Sequence, residues 1–201
     1  MFIETLDKIH SQLVQSFSCV EPPEAVANLN SKQRRRVLLH SREMDDFLHN
    51  EAMSEQELGT STTHLLLNDE ATELIAYVLL AADAIPLGLK EREEEKMRYS
   101  NSPALKVVRL AVASTYQGKG IGKKMIRFAL NTADDIAERC GVVFLTLDCY
   151  EHRVSFYEHL GFQRNQIQTS QRDYDSPISM RANIDKLMKR MSELDNVSPS
   201  V

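Results

Sequence analysis

The sequence has no tryptophan, few cysteines and no apolar run long enough to cross a membrane. Because a membrane-spanning helix needs roughly 18 or more apolar residues, the sequence predicts no membrane partner. Its first residues lack the basic and apolar stretches of a secretory signal, so secretion is not expected. The three cysteines, Cys19, Cys140 and Cys149, form no CxxC pair, which predicts no metal site and favours buried free thiols in a reducing cytoplasm.

Acidic residues are also missing from residues 96–133, a segment that we call the basic island. It carries eight basic residues, whereas the 201-residue chain has a net charge of −5, so the remainder carries −13. Such an island favours one local anionic ligand over a nucleic-acid-binding face. A second basic cluster, residues 31–36, is interpreted as the solvated start of an element, with a substrate or RNA contact as the alternative.

Composition and hydrophobic spacing predict one globular domain, with 42% hydrophobic and 26% charged residues and no repeat or linker. Apolar residues from Phe2 to Phe17 recur every three or four positions and predict one helix. A second helix is predicted from Ser41 to Gly59, followed by two antiparallel strands at 64–67 and 74–80. Residues 84–103 predict a long connection, either a lid or binding loop or a solvated helical turn.

The most regular block predicts a right-handed βαβ unit with parallel strands. A strand ends near Ala113, a glycine loop follows, and a helix starts at Ile121 and ends with Gly141 at its C′ position. A buried strand is predicted at 142–148, a short helix at 154–160, and strands near 162–167 and 178–182. Pro177 predicts that the last strand lies at an edge or begins there, and a helix follows from Asp185 before the tail frays near Asn196.

Residues 117–123 form a glycine loop at a predicted strand-to-helix junction, where backbone N–H groups converge on an anion. A P-loop would need glycine at Gln117 and Ser or Thr at Lys124, so that interpretation fails twice. A dinucleotide fingerprint fits Gly118 and Gly120, with Asp148 placed to meet a ribose, but Lys123 stands at its third glycine.

Two motifs match a known family more fully. The segment from Arg109 to Gly122, followed by Phe156-Tyr-Glu-His-Leu-Gly-Phe162, resembles the GNAT superfamily of acetyl-CoA-dependent N-acetyltransferases. Gln117, Gly120 and Gly122 match its Q/R-x-x-G-x-G/A loop, and the second string matches its F-Y-x-x-x-G-F ending. The resemblance covers residues 41–183 and is strongest over 105–162.

The resemblance implies an α/β (α+β) GNAT fold: a mixed, mostly antiparallel central sheet that splays apart at the CoA site, with helices on both faces. It divides the chain into a helical extension (1–40), an N-acetyltransferase domain (41–183), and a C-terminal helix with a frayed tail (184–201). Acetyl-CoA is the implied cosubstrate, without a metal. The implied cofactor-binding residues are Leu110, Ala111 and Val112 for pantetheine, and Gln117, Gly118, Lys119, Gly120, Ile121, Gly122 and Lys123 for pyrophosphate.

The resemblance also implies direct acetyl transfer to a primary amine in a ternary complex. Tyr157 would protonate the departing thiolate, and the backbone N–H of Val112 would stabilise the oxyanion. Two positions depart from the family: Tyr150 replaces an asparagine that contacts CoA in many relatives, and the strand that would bind pantetheine has no glutamate base. The base is then another group, with Asp83, Asp148, Glu151 and His152 as candidates, or the acceptor amine has a low pKa.

The acidic remainder of the chain predicts a cationic acceptor, a small-molecule or peptide amine, in the cytoplasm. Nucleic acid is not the expected partner, and the protein is expected to be a monomer or homodimer. One alternative comes from residues 45–52, which look like a stretch in GNAT toxins that acetylate aminoacyl-tRNA. Another is a GNAT-fold acyl-CoA sensor without turnover.

Overall fold

The structure, a computed structural model, describes residues 1–168 and 176–197. Its strands are β1 (Phe2–Thr5), β2 (Thr62–Leu67), β3 (Leu74–Pro86), β4 (Asn101–Val112), β5 (Phe144–Cys149), β6 (Gln163–Arg164) and β7 (Ile178–Asn183). Its α-helices are α1 (Ser11–Ser16), α2 (Ser31–Asn50), α3 (Ala52–Glu57), α4 (Leu89–Glu94), α5 (Ile121–Ala137), α6 (Glu151–Leu160) and α7 (Ile184–Val197), with 3-10 helices at Lys8–His10 and Ser114–Tyr116.

Within the described residues the strands form one seven-stranded sheet in the order β1-β2-β3-β4-β5-β7-β6. β4 and β5 run parallel, whereas the β1–β2, β2–β3, β5–β7 and β6–β7 pairs are antiparallel. The predicted fold class, a mixed and mostly antiparallel sheet with helices, is therefore confirmed. The predicted βαβ unit is also confirmed, since α5 connects the parallel strands β4 and β5.

The chain forms two compact units. The first comprises Met1–Leu80 with Arg109–Met125, and the second comprises Ala81–Val108 with the described part of Ile126–Val201. The first unit has a core in which Phe17 meets Tyr77 edge to face, with ring centroids 5.6 Å apart. In the second unit Phe144 is fully buried and packs with Ile85 and Leu87.

The N-terminal helix prediction is wrong for its first half. Residues Phe2–Thr5 pair with Leu67–His64 of β2, so their main-chain groups are satisfied by a neighbouring strand. Asp7 then caps the short 3-10 helix by accepting from the N–H of Ile9, whose side chain is 80% exposed. Spacing alone cannot show this, because strand pairing depends on residues sixty positions away.

The second helix begins ten residues earlier than predicted, at Ser31 rather than Ser41. Asn30 and Gln33 form a reciprocal capping box, each side chain accepting from the other's backbone N–H. Ser41 instead lies buried inside α2, where its hydroxyl donates to the carbonyl of Val37 (2.9 Å). The predicted end of the N-terminal extension at residue 40 thus falls within a helix, and the division of the chain into domains remains a prediction.

One further boundary differs from the sequence-based expectation, and in two other places the structure decides between the alternatives that the sequence leaves open. α5 ends at Ala137, and the N–H groups of Arg139 and Cys140 return to Ile136, so Gly141 is not the C′ residue. Residues 84–103 contain the end of β3, α4 and the start of β4, so the helical-turn alternative is the correct one. β7 begins directly after Pro177 and lies between β5 and β6, not at an edge. Residues 198–201 of the predicted frayed tail lie outside the described residues.

Two cysteine predictions are confirmed and one is wrong: Cys19 and Cys149 are buried, whereas Cys140 is exposed. The exposure follows from the early end of α5, which leaves Cys140 beyond the packed helix face. Among residues 1–168 and 176–197, no helix has both the length and the hydropathy needed to traverse a bilayer.

Candidate active site

The glycine loop connects the end of β4 to the start of α5 through the 3-10 helix Ser114–Tyr116. Gly118 and Gly120 have φ angles of 73° and 78°, which L-residues adopt only with strain. A Cβ added at either glycine would meet no atom within 4 Å, so the loop is open on that side. The first N–H groups of α5 have no carbonyl acceptor within the helix, and they join the loop in forming an anion-binding geometry.

The side chain of Gln117 anchors this loop. Its amide donates to the carbonyl of Cys19 (2.9 Å) and to the carbonyl of Val112 (3.2 Å). The N–H of Ser114 donates to the carbonyl of Ser18 (3.0 Å). Gln117 therefore positions the loop through its side chain, a role that the sequence motif alone does not disclose.

The basic residues of the island lie in different surroundings. Lys106 donates to Asp148 (2.6 Å), and Arg127 pairs with Asp195. The guanidinium of Arg109 lies 4.2 Å from the ring centroid of Phe47. Lys119, Lys123 and Lys124 lie in the loop and in the first turn of α5.

The aromatic ring of Tyr116 gives the loop a further fixed contact. Its hydroxyl donates to the carboxylate of Glu73 (2.7 Å), and this hydrogen bond raises the pKa of Tyr116 above its ordinary value. The ammonium of Lys119 lies 5.2 Å from the same ring centroid. At neutral pH the face of the Tyr116 ring attracts the charged ammonium of Lys119 and so holds it beside the loop.

The main chain of β4 continues past its ladder with β5. That parallel ladder joins Ala104–Val107 to Phe144–Leu147, while β4 extends to Val112. Leu110, Ala111 and Val112, the predicted pantetheine residues, lie in this extension. Ala111 is buried, and the other two are partly buried. Extended backbone of this kind suits pairing with the amide groups of pantetheine.

Tyr157 lies on α6, and its side chain is half-buried. Its ring packs edge to face against Phe156 (4.9 Å between centroids) and Phe162 (5.7 Å). Gly161, at φ 116°, ends the helix so that the N–H of Phe162 donates to the carbonyl of Tyr157 (3.0 Å). The F-Y-x-x-x-G-F string is therefore a packing unit in which two phenylalanines and a left-handed glycine fix the tyrosine ring.

Burial raises the pKa of Tyr157 above the ordinary tyrosine value, and the nearby Cys149 adds to the rise. The hydroxyl is consequently protonated at neutral pH. The same rise makes release of the proton more costly than from a solvated tyrosine. A proton-donor role therefore requires that the acceptor atom approach closely and gain negative charge at the same time.

The candidate bases all have structural partners. Asp83 accepts from the buried hydroxyl of Thr146 (2.7 Å), and Asp148 pairs with Lys106. Glu151 binds Arg164 (3.0 Å), and His152 stacks on Tyr150 with centroids 6.2 Å apart. A role as the base remains a prediction for each of the four. No cluster of three or more potential metal ligands occurs in the part of the chain that the structure describes.

The structure thus has an extended strand that leads into a glycine loop and α5, and a tyrosine packed between two phenylalanines on α6. Residues 66–164 match the family described as acetyltransferase (GNAT) domain. The protein is thus an acyltransferase with a GNAT acetyltransferase domain, which confirms the resemblance seen in the sequence.

Solved structures show the same fold at low sequence identity. A tyrosine-to-phenylalanine mutant of KacT is 17% identical, with a TM-score of 0.69 over 94% of this chain and 97% of that one. AtaT complexed with acetyl-methionyl-tRNAfMet is 18% identical, with the same TM-score and coverage. A mutant of the AtaT toxin, bound to the C-terminus of the antitoxin AtaR and to acetyl-CoA, is 16% identical, with a TM-score of 0.64 over 94% and 96% of the two chains.

These neighbours overturn the partner prediction. The sequence favours a small-molecule or peptide amine and gives nucleic acid no main role, whereas AtaT is complexed with an acetylated aminoacyl-tRNA. The prediction is wrong because it takes the acidic remainder of the chain as one surface. Net charge does not show where basic residues cluster on a particular helix.

Proposed function

We propose that this acetyltransferase transfers the acetyl group of acetyl-CoA to the α-amino group of an aminoacyl-tRNA. The observation that carries the proposal is the fold match to AtaT in complex with acetyl-methionyl-tRNAfMet, which extends over 94% of this chain. The stretch at residues 45–52, near the end of α2, supports it independently of the fold. An aminoacyl-tRNA acceptor also implies a cytoplasmic location.

Acetyl-CoA binding is assigned to the loop and to the end of β4. Its pyrophosphate would accept from N–H groups of residues 117–123, with Lys119, Lys123 and Gln117 supporting that loop. Its pantetheine amides would pair with the main chain of Leu110–Val112. The open space beside Gly118 and Gly120 fits this assignment, because no protein atom lies within 4 Å of the position that a Cβ would take at either glycine.

An α-amino acceptor is consistent with the absence of a glutamate base from β4. An ordinary α-amino group has a pKa of about 7.7–8.0, so roughly a tenth or more of it is neutral at pH 7. A lysine-like alkylamine with a pKa of about 10.4 is neutral in only about one molecule in 2,500 at that pH. Acetylation of an α-amino group therefore requires no strong base, and β4 has no carboxylate to supply one.

In the transfer step, the amine nitrogen attacks the thioester carbonyl to form a C–N bond, and the C–S bond breaks when the resulting tetrahedral intermediate collapses. The N–H of Val112 would stabilise the oxyanion of the tetrahedral intermediate. The leaving thiolate takes its proton from Tyr157, the ammonium proton of the acceptor passes to solvent, and Tyr157 regains a proton from solvent. Because a thiol titrates near 8.5, full transfer from tyrosine is uphill, so the proton moves as the C–S bond breaks.

The RNA contact is assigned to one face of α2. The guanidinium of Arg34 is held against the chain, where it donates to the carbonyls of Val26 (3.2 Å) and Ala27 (3.1 Å). Arg35 and Arg42 are exposed and lie seven residues apart, which places them on the same helix face. We assign phosphate contacts to these two arginines.

The decisive experiment incubates the protein with acetyl-labelled acetyl-CoA and a mixture of charged tRNAs. The label is then located by nuclease digestion and mass spectrometry of the aminoacyl-adenosine. We expect acetylated aminoacyl-adenosine with charged tRNA and none with deacylated tRNA. Labelled spermidine or free lysine without labelled tRNA would contradict the proposal.

A further inference from the structure

Asp45 is a buried carboxylate on α2, with 8% of its surface exposed. One of its oxygens accepts from the N–H of Cys19 (2.8 Å), and the other accepts from the hydroxyl of Ser18 (2.7 Å). Burying a carboxylate is costly unless its oxygens are hydrogen-bonded, and both of these bonds go to adjacent residues. Asp45 thus fixes the short segment Ser18–Cys19 against α2.

The same segment holds the glycine loop. The carbonyl of Ser18 accepts from the N–H of Ser114 (3.0 Å), and the carbonyl of Cys19 accepts from the amide of Gln117 (2.9 Å). A continuous series of hydrogen bonds therefore runs from Asp45 through residues 18 and 19 to the loop. Because Gln117 also donates to Val112 (3.2 Å), the series reaches the end of β4 as well.

We propose that Asp45 is a positioning residue for acetyl-CoA, acting through Ser18–Cys19 to hold the pyrophosphate loop in its binding conformation. The inference rests on the proposed function only in that the loop binds acetyl-CoA. It gives a role to the residue that opens the toxin-like stretch, and it extends the cosubstrate site to residues outside the matched segment 66–164.

The first test compares Asp45→Asn with Asp46→Asn in the full chain. Asp46 is exposed and adjacent, so it controls for the loss of one negative charge on α2. Asp45→Asn removes the negative charge, so the charge-assisted hydrogen bonds with the N–H of Cys19 and the hydroxyl of Ser18 become weaker neutral ones. We expect the Kd and KM for acetyl-CoA to rise about tenfold, while kcat and the KM for the acceptor change less than about twofold. Asp46→Asn should match the wild type.

A second test measures coupling with the loop. Because Gln117 lies downstream of Asp45 in the same series, Asp45→Asn should weaken acetyl-CoA binding less in a Gln117→Ala background than in the wild type. Should Asp45→Asn fail to fold, Ser18→Ala takes its place. It removes a single hydrogen bond, and we expect a loss of about threefold in acetyl-CoA affinity.

Three results would overturn the inference. The first is wild-type affinity for acetyl-CoA in folded Asp45→Asn, and the second is a loss confined to kcat. The third is a double variant whose loss of acetyl-CoA affinity equals the product of the losses in Asp45→Asn and Gln117→Ala. Isothermal titration with acetyl-CoA needs no acceptor, so it separates the two proposals. A protein that binds acetyl-CoA but does not acetylate charged tRNA would refute only the acceptor. A wild-type protein that binds no acetyl-CoA would refute the positioning role.

Discussion

At the scale of single residues, Tyr157 shows how packing and acid strength are linked. Its ring is fixed by Phe156 and Phe162, and the burial that fixes the ring also raises the pKa of its hydroxyl. The motif predicts the ring's surroundings well, because every residue involved lies within a few positions along the chain. It does not predict the direction of the pKa change, which depends on how deeply α6 is packed.

Tyr157→Phe removes the hydroxyl and keeps the ring. We expect kcat for acetyl transfer to fall about 100-fold to 1,000-fold, since general acid catalysis contributes on this scale. The Kd for acetyl-CoA should stay within about twofold of the wild type, because no hydroxyl contact to the cosubstrate's phosphates is assigned. Stopped-flow detection of thiol release would measure the rate. Unchanged kcat in the variant would remove Tyr157 from the mechanism.

His64 on β2 gives a pH-dependent contribution to stability. Burial lowers the pKa of this half-buried histidine below its ordinary value, so the unfolded chain binds a proton more readily than the folded one. The unfolding free energy should therefore fall as the pH drops below about 6.5. Urea denaturation between pH 5 and 7.5 should show a shallower dependence for His64→Gln. Identical pH profiles for the two proteins would contradict this assignment.

At the scale of elements, α4 illustrates a contact that spacing alone does not reveal. Its charge run looks solvated in the sequence, yet Glu91 is 1% exposed and pairs with Arg181 of β7 (2.5 Å), which is 3% exposed. Glu91 also accepts from the N–H groups of Gly88 (2.7 Å) and Gln166 (2.8 Å). Its partners lie up to ninety positions away, so only the folded chain distinguishes it from its exposed neighbours.

Glu91→Gln keeps the side-chain shape but leaves the Arg181 guanidinium buried without a counter-charge. We expect the unfolding free energy to fall by about 3–5 kcal/mol, the usual cost of breaking a buried ion pair. Glu93→Gln in the same helix is the matched control, because Glu93 is exposed, and it should change stability by less than about 0.5 kcal/mol. Equal losses in both variants, measured by urea denaturation, would contradict the role of the pair.

The accuracy of the sequence-based predictions follows the range of the interactions involved. The β4-loop-α5-β5 unit is predicted well, because glycine conformations and apolar spacing are local properties. The start of α2 is missed because residues 31–36 are strongly basic and have no apolar spacing, so Ser41, with acidic residues after it, looks like the first cap. The anchoring role of Gln117 and the burial of Asp45 are missed because their partners, Ser18 and Cys19, lie outside the recognised motifs.

At the scale of the whole molecule, the distribution of charge matters more than its sum. The net charge of −5 gives no indication of an RNA partner. Arg35 and Arg42 nevertheless lie exposed on one face of α2, and three lysines lie in the loop and the first turn of α5. An acidic protein with such separate basic groups should bind its anionic ligands locally and with a measurable dependence on salt.

We therefore expect kcat/KM for aminoacyl-tRNA to fall steeply as salt rises from 50 to 200 mM. Phosphate contacts release counterions, so each contact adds about −0.7 to −0.9 to the log–log slope. Arg35→Gln with Arg42→Gln should make the slope shallower by roughly 1.5 and leave the Kd for acetyl-CoA unchanged. Steady-state assays over the salt series provide the measurement. A salt-independent rate, or an unaltered slope in the double variant, would contradict the assignment of α2 to RNA binding.

The early end of α5 makes the protein suitable for single-site labelling. Of its three thiols, only Cys140 is exposed, whereas burial raises the pKa of Cys149 to about 12 and also raises that of Cys19. Because thiolates are the reactive species, a maleimide should modify Cys140 first and reach one label per folded chain. With no tryptophan in the sequence, the emission of a dye at Cys140 would carry no contribution from indole.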